Sequence, residues 1–335
     1  MKFLTPAAAS EPAPANLSVD PASNGLRADA FLSRELPFLS RRRVRQKIQM
    51  GESLLNGRRY STATRLRTGD TITVAWRGEP DLTDTDEVPI LFEDEHLLAV
   101  DKPAGMRSHP VGRIQAGTVV QFARQRSAQQ IHDSLGRGDM SFYPTLVNRL
   151  DTFTSGIVLL AKTKAMHEAM QALMTGRHVL KEYIALVEGR ISSAEGRIDL
   201  PLGRDMESSV RVKMAGRADG LPSVTTYVVL RLLPRHTLVR AFPLTGRQHQ
   251  IRVHFASRGH PVVGDLLYKD ERIFLAWQET VTLPQNAAGS GRQNLPGRQC
   301  LHASHMEFTH PATGARIRID APIPADFLAI LADNL

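Results

Sequence analysis

The order in which two kinds of apolar pattern follow one another limits the fold more than any other feature of this chain. From residue 90 onward come short runs rich in β-branched and aromatic residues: Ile90 to Phe92, Leu97 to Val100, Ile157 to Ala161, "LKEYIALVEGRI", "TTYVVLRLL" and "HTLVRAFPLTG". These strand-like runs outnumber the helical stretches and do not alternate with them regularly. A doubly wound parallel sheet needs that alternation, so the order predicts an α+β domain with mostly antiparallel pairing. Its first two runs, separated by an acidic turn and followed by a Pro/Gly loop, predict an opening hairpin.

The segment ahead of that domain differs in charge. The chain of 335 residues carries a net charge of +8. Between Leu26 and Ala75 eleven Lys/Arg face four Asp/Glu, so nearly the whole excess lies in that stretch. A basic module beside a roughly neutral body predicts docking to a polyanion. Within the module a short helix is expected from Ala28 to Leu36. A second is expected between a Ser40 cap and Gly51, with Val44 and Ile48 facing inward. Asn56-Gly57 predicts a tight turn, and "TITV" an alternating strand. Arg41, Arg42, Arg45, Lys47, Arg58 and Arg59 are the candidate nucleic-acid contacts. Residues 1–24, rich in Ala, Pro and Ser, read as a disordered arm without a signal-peptide core. Residues 25–76 form the module, 77–88 an acidic linker, and 89–335 the large domain. The single cysteine, Cys300, excludes a disulfide framework. No apolar stretch reaches the roughly 18 residues of a membrane span, and a cytosolic setting is expected.

Two stretches of the large domain carry chemistry. In "VNRLDTFTSGIVLLAKT", residues 147–163, a charged pair and three hydroxyls precede a buried strand. Alone, such a cluster is a surface turn. In "PLTGRQHQIRVHFASRGHPVVGDLLY", Thr245 and Gln248 match a capping box and Gly259 a stop. They predict a helix from about Arg247 to Arg258 with His249 and Arg252 on one side. Histidines are plentiful, but His249 and His254 are five apart and no HExxH occurs, so no metal site is expected. No phosphate-binding GxxxxGK[ST] occurs either. The Gly/Asn/Gln-rich residues 282–299 read as a mobile surface loop.

"NRLDTFTSGIVLLAK" resembles the HRLDxxTSGLLLxAK signature of the RluA-type RNA pseudouridine synthases. "EDEHLLAVDKPAGMRSHP", "KEYIALVEG", "TGRQHQIRVHFASRGHPVVGDLLY" and "LHASHMEFTHPATG" resemble further family blocks in the same order, from about Pro89 to Phe327. The basic module resembles an S4 RNA-binding domain. The resemblance implies a pseudouridine synthase fold, a mixed and mostly antiparallel sheet with flanking helices, preceded by a small S4 α/β domain. It implies isomerisation of uridine in structured RNA with no cofactor and no metal. Asp151 would be the catalytic carboxylate, Arg252 its cationic partner and Tyr183 the aromatic stacked on the base. Ile251 would line the pocket, and Arg149 would stand near the flipped nucleotide. Asn148 replaces the signature histidine and cannot carry a proton. The implied partner is RNA, large-subunit ribosomal RNA first and tRNA second, with no membrane and a monomeric protein. Two alternatives remain: an inactive RNA-binding or ribosome-assembly protein on this fold, and a glycoside hydrolase, which lacks a second carboxylate.

Overall fold

The alternating runs become strands in a computed structural model, which describes residues 15–36, 41–75, 88–110, 117–133, 144–281 and 298–333. The chain divides into two units, Met1–Asp86 with Gln121–Tyr143, and Glu87–Val120 with Pro144–Leu335. The expected linker at 77–88 lies almost wholly outside the described residues, as does the Ser40 cap.

In the smaller unit β1 (Ala15–Ser18), α1 (Ala28–Glu35), α2 (Arg41–Met50), β2 (Ser53–Leu55) and β3 (Thr71–Val74) follow in order. The strands form an antiparallel sheet, β1-β3-β2. Val44 and Ile48 enter a core with Phe31, Leu32, Leu66 and Ile72. Asn56 and Gly57 both have positive φ, at 48° and 76°, as a two-residue turn matched to strand twist requires. Two expectations need correcting. The disordered arm does not extend to residue 24, because Ala15 to Ser18 pair with Val74 to Thr71. Leu17 packs on the core and Val19 is buried, an alternation that the flanking Ala and Pro hide in the sequence. Lys47 is not a nucleic-acid contact. It is 1% exposed and its ammonium donates to the Ala75 carbonyl at 2.8 Å and to Glu52 at 3.3 Å. Arg45, Arg58 and Arg59 are exposed; the side chains of Arg41 and Arg42 lie outside the described set.

The larger unit contains β4 (Ile90–Glu93), β5 (Leu97–Lys102), the start of α3 (Val119–Asp133), β6 (Thr145–Leu146), β7 (Ser155–Ala161), α4 (Lys164–Thr175), β8 (Leu180–Glu188) and β9 (Glu195–Asp199). Then come β10 (Leu202–Arg204), β11 (Met214–Gly216), β12 (Val224–Leu232), β13 (His236–Pro243), α5 (Gln250–Ser257), α6 (Leu266–Lys269), α7 (Glu271–Val281), β14 (Leu301–Thr309), β15 (Arg316–Asp320) and α8 (Ala325–Ala332). One ten-stranded sheet runs β4-β5-β7-β14-β8-β13-β12-β9, with β15 on β14 and β6 on β7. Every pairing in it is antiparallel except β7 with β14. All seven residues of β7 are buried, the five of the expected apolar run Ile157–Ala161 together with Ser155 and Gly156.

Register places one row of residues across the sheet: Gly156, Ala303, Tyr183, Ala241, Tyr227 and Gly196. Glycine is required at the β7 end of the row. Its φ is +108°, and a Cβ there would sit 2.2 Å from the Ala303 carbonyl oxygen. On this row Tyr183 has only alanine to either side. Helix α5 packs nearby, with the Phe255 and Tyr227 rings 5.3 Å apart.

Candidate active site

Residues 148–154 form the loop that enters β7, and several groups fix its backbone. Lys102, fully buried, donates to the carbonyls of Pro103 (3.0 Å), Met106 (2.8 Å) and Thr152 (3.1 Å). Gly105 N–H donates to the same Thr152 carbonyl at 2.8 Å. The Ser108 hydroxyl donates to Leu150 O and accepts from Leu150 N–H. The "KPAGMRS" loop is thus strapped to the residues on both sides of Asp151. Sequence reasoning missed Lys102 and Ser108; their place on either side of the Pro103–Gly105 turn was the available signal.

Asn148 explains the entry to β7. Its amide donates to Ile157 O at 3.0 Å and accepts from Leu159 N–H at 2.8 Å. Strand β14 covers this edge only at Ser155 and Gly156, and β6 only at Leu160 and Ala161. The Asn148 amide, with Val147 N–H on Leu159 O at 2.8 Å, satisfies the gap between them. Asn148 is therefore committed to backbone. The Thr154 and Ser155 hydroxyls bond residues distant in the chain. Thr154 accepts from Gln299 at 2.5 Å; Ser155 accepts from Arg298 at 3.1 Å and donates to His302 Nδ1 at 2.9 Å. Arg298, which also forks onto Asp326, and Gln299 are buried. The expected surface loop thus stops short of them, and its residues 282–297 lie outside the described set.

Across from the loop stands α5. The capping pair is Thr245 with Gln250, not Gln248. Gln250 Oε1 accepts from the Thr245 hydroxyl at 2.6 Å and from Arg247 N–H at 3.0 Å. Its amide nitrogen donates to Val224 O and to the Thr225 hydroxyl. The helix therefore starts three residues later than expected, after His249 in the left-handed region at φ 55°.

That start aims Arg252 at Asp151. Arg252 Nη1 donates to Asp151 Oδ2 at 2.8 Å. Its Nε and Nη2 fork onto Asp265 at 2.6 and 2.9 Å, with the Arg252 and Asp265 side chains only 8% and 1% exposed. The Tyr268 ring lies 4.9 Å from the guanidinium. The Tyr268 hydroxyl accepts from Met214 N–H at 3.0 Å and is hydrogen-bonded to His249 Nδ1 at 2.7 Å. His249 Nε2 then faces Asp151 at 3.8 Å.

Burial opposes the Asp151 anion, but the cations around it outweigh burial, so its carboxyl sits below the usual range. Burial and Arg252 hold His249 at about 4, so it is neutral at pH 7 and lends no charge there. The lowering of the Asp151 carboxyl comes from the His249 imidazole where that is protonated, from the charge and hydrogen bond of Arg252, and from Lys102. Burial, against the pull of Asp151, brings the Lys102 ammonium down to about 7. Two carboxylates share one guanidinium in the Asp151–Arg252–Asp265 cluster. Tyr183 is held protonated, first by burial and then by the Asp151 charge. Ile251 is buried in the core against which Tyr183 packs, and Arg149 is exposed. The structure therefore brings Asp151 and Arg252 into contact and sets Tyr183 within electrostatic range.

Residues 96–257 match the sequence profile of the RNA pseudouridylate synthase family. The chain is 35% identical over 318 residues to the ribosomal large subunit pseudouridine synthase D of Xanthomonas campestris, covering 92% of this chain and 88% of that one. It belongs to the RNA pseudouridine synthase family. A second relative of that name, from Pseudomonas aeruginosa, is 35% identical over 92% of each chain. The structure of human RNA pseudouridylate synthase domain containing 4 shares the fold, with TM-score 0.54 and 24% identity over 73% of this chain and 92% of that one.

Proposed function

We propose that this synthase isomerises uridine in large-subunit ribosomal RNA, with Asp151 as the catalytic carboxylate. The contact that carries the reading is Arg252 Nη1 on Asp151 Oδ2 at 2.8 Å, beside His249, which is neutral at pH 7. The N1–C1′ bond breaks, uracil rotates while held, and C5 bonds to C1′; the proton leaving C5 is matched by one gained at N1. An unprotonated carboxylate can attack the sugar or base, or stabilise positive charge at C1′. Tyr183, a neutral phenol flanked by alanines, supplies a ring for the base. Arg149, exposed two residues before Asp151, is assigned on this reading to the nucleotides left behind when the uridine is flipped. The substrate class follows the names of the relatives in Xanthomonas and Pseudomonas.

The smaller unit, proposed as S4-like, supplies the exposed cations Arg45, Arg58 and Arg59 for phosphate contacts. The reading as an inactive RNA-binding protein rested on Asn148, and its amide has a structural task that needs no proton.

The test is pseudouridine mapping of ribosomal and transfer RNA from cells carrying the gene, lacking it, or carrying Asp151→Asn. Loss of large-subunit sites in the last two is expected. Sites retained with Asp151→Asn would overturn the assignment, and loss confined to tRNA would redirect the substrate.

A further inference from the structure

Among the described residues three other than glycine hold a positive φ: Asn56 in a tight turn, Arg177 past the end of α4, and His249 ahead of α5. A reversing turn or a helix end asks for that conformation. A helix start does not; the residue there is normally extended and bonds the first turn with its side chain. His249 does neither: it is left-handed, and its side chain makes no capping bond. A bulky residue keeps such a backbone only where its surroundings impose it. The result is a ring that turns to the loop of Asp151 and is only 9% exposed.

The two ring nitrogens have different neighbours. Nδ1 is 2.7 Å from the Tyr268 hydroxyl, which already accepts from Met214 N–H. Nε2 makes no hydrogen bond among the described residues and faces Asp151 Oδ2 at 3.8 Å. A lone pair on Nε2 would repel that oxygen, whereas a proton there attracts it. Arg252 Nη1 donates to the same oxygen at 2.8 Å. The other carboxylate oxygen, Oδ1, takes no hydrogen bond among the described residues. Tyr268 supports both neighbours of Oδ2, with its ring 4.9 Å from the guanidinium and its hydroxyl on the imidazole.

We propose that His249 is a positioning residue for Asp151: with its proton on Nε2, kept there by Tyr268, it joins Arg252 in holding Oδ2, so that Oδ1 is the oxygen presented to the nucleotide. A small turn of the carboxylate brings 3.8 Å to hydrogen-bond length. A neutral donor orients the carboxylate without adding a second full positive charge, which would make it a poorer nucleophile. The aim of the reacting oxygen matters, since a misplacement of about 1 Å can lower a rate about 100-fold. The proposal rests on the reading of Asp151 as the catalytic carboxylate.

The experiment measures single-turnover isomerisation at saturating large-subunit ribosomal RNA transcribed in vitro, together with RNA affinity. It uses the full chain as wild type, Asp151→Asn, His249→Gly, His249→Gln, Tyr268→Phe and the His249→Gly/Tyr268→Phe double variant. His249→Gly, which relieves the backbone, should lose about 10- to 100-fold in saturated rate with affinity within about threefold of wild type. His249→Gln restores an N–H donor and should recover most of that rate. Tyr268→Phe keeps the ring beside Arg252 and should lose about 3- to 10-fold, and the double variant should be no slower than His249→Gly, because both changes act through one hydrogen bond. If His249→Gly does not fold, Tyr268→Phe decides alone, and a wild-type rate there overturns the proposal. A wild-type rate in His249→Gly beside an inactive Asp151→Asn would overturn the proposal and leave the proposed function standing. Equal losses in His249→Gly and His249→Gln, with multiplied losses in the double variant, would overturn it by assigning His249 to packing. A full rate in Asp151→Asn would remove the reading of Asp151, and the proposal with it.

Discussion

At the scale of single residues, the site depends on a guanidinium that serves two carboxylates at once. A lysine has one point charge and cannot bridge Asp151 and Asp265. Arg252→Lys should lower the single-turnover rate at least about 100-fold and, by leaving Asp265 buried with a broken partner, cost about 3 kcal/mol of stability. A rate within threefold of wild type would show that Arg252 is a bystander. Asn148 calls for a different outcome. Histidine cannot both donate to Ile157 O and accept from Leu159 N–H in the same geometry, so Asn148→His should lose one backbone bond. That costs about 1 kcal/mol, read as a fall in Tm of about 2–4 °C for a domain of this size, with activity within tenfold. Asp151, Tyr183 and Arg252 were legible because long motifs occur in family order. Lys47 was misread because a run of basic residues does not reveal which one points inward. The positions of Lys102 and Asp265 were not legible as partners, because only the fold brings residue 265 to 252.

At the scale of elements, the β7–β14 junction is the tightest constraint. Gly156→Ala would press a Cβ into the Ala303 carbonyl in a backbone conformation alanine avoids. A loss on the order of 3 kcal/mol is expected, measured by urea denaturation, and a stable, active variant would contradict the register. The six strand-like runs of the large domain became strands and both helices of the basic module formed, while β6, β9, β10, β11, β14 and β15 were not expected. The start of α5 was not legible, because Gln248 and Gln250 offer the same chemistry and only Val224 and Thr225, brought in from β12, decide between them. Nor could β1 be read, since four residues in an Ala/Pro-rich context carry too little pattern. Residues 298–299 looked like loop, and their burial comes from contacts with Ser155 and Thr154.

At the scale of the whole molecule, charge and buried histidines set how it responds to solution conditions. Burial, aided by nearby Arg side chains, holds His249 and His302 at about 4, below the usual value near 6.5. Below pH 6.5 the unfolded chain takes up protons that the native state refuses. Stability should therefore be full above that pH and fall progressively toward pH 4. The urea midpoint should be lower at pH 5 than at pH 7.5; an equal or higher midpoint would show that these rings titrate normally. The basic module predicts its own signature. Reversing Arg45, Arg58 and Arg59 to Glu in the full chain should weaken RNA binding and flatten its salt dependence while leaving the saturated rate near wild type. An unchanged slope would mean that the module does not hold RNA.

The parallel junction has one more consequence, for the order of events during synthesis. The strand that seats Gly156 against Ala303 is made about 150 residues after the loop bearing Asp151. Until β14 leaves the ribosome, that loop has no Gln299, Arg298 or His302 to fasten it. A nascent chain is thus expected to hold this loop by Lys102 and Ser108 alone until residues 298–302 have been made and can engage Thr154 and Ser155.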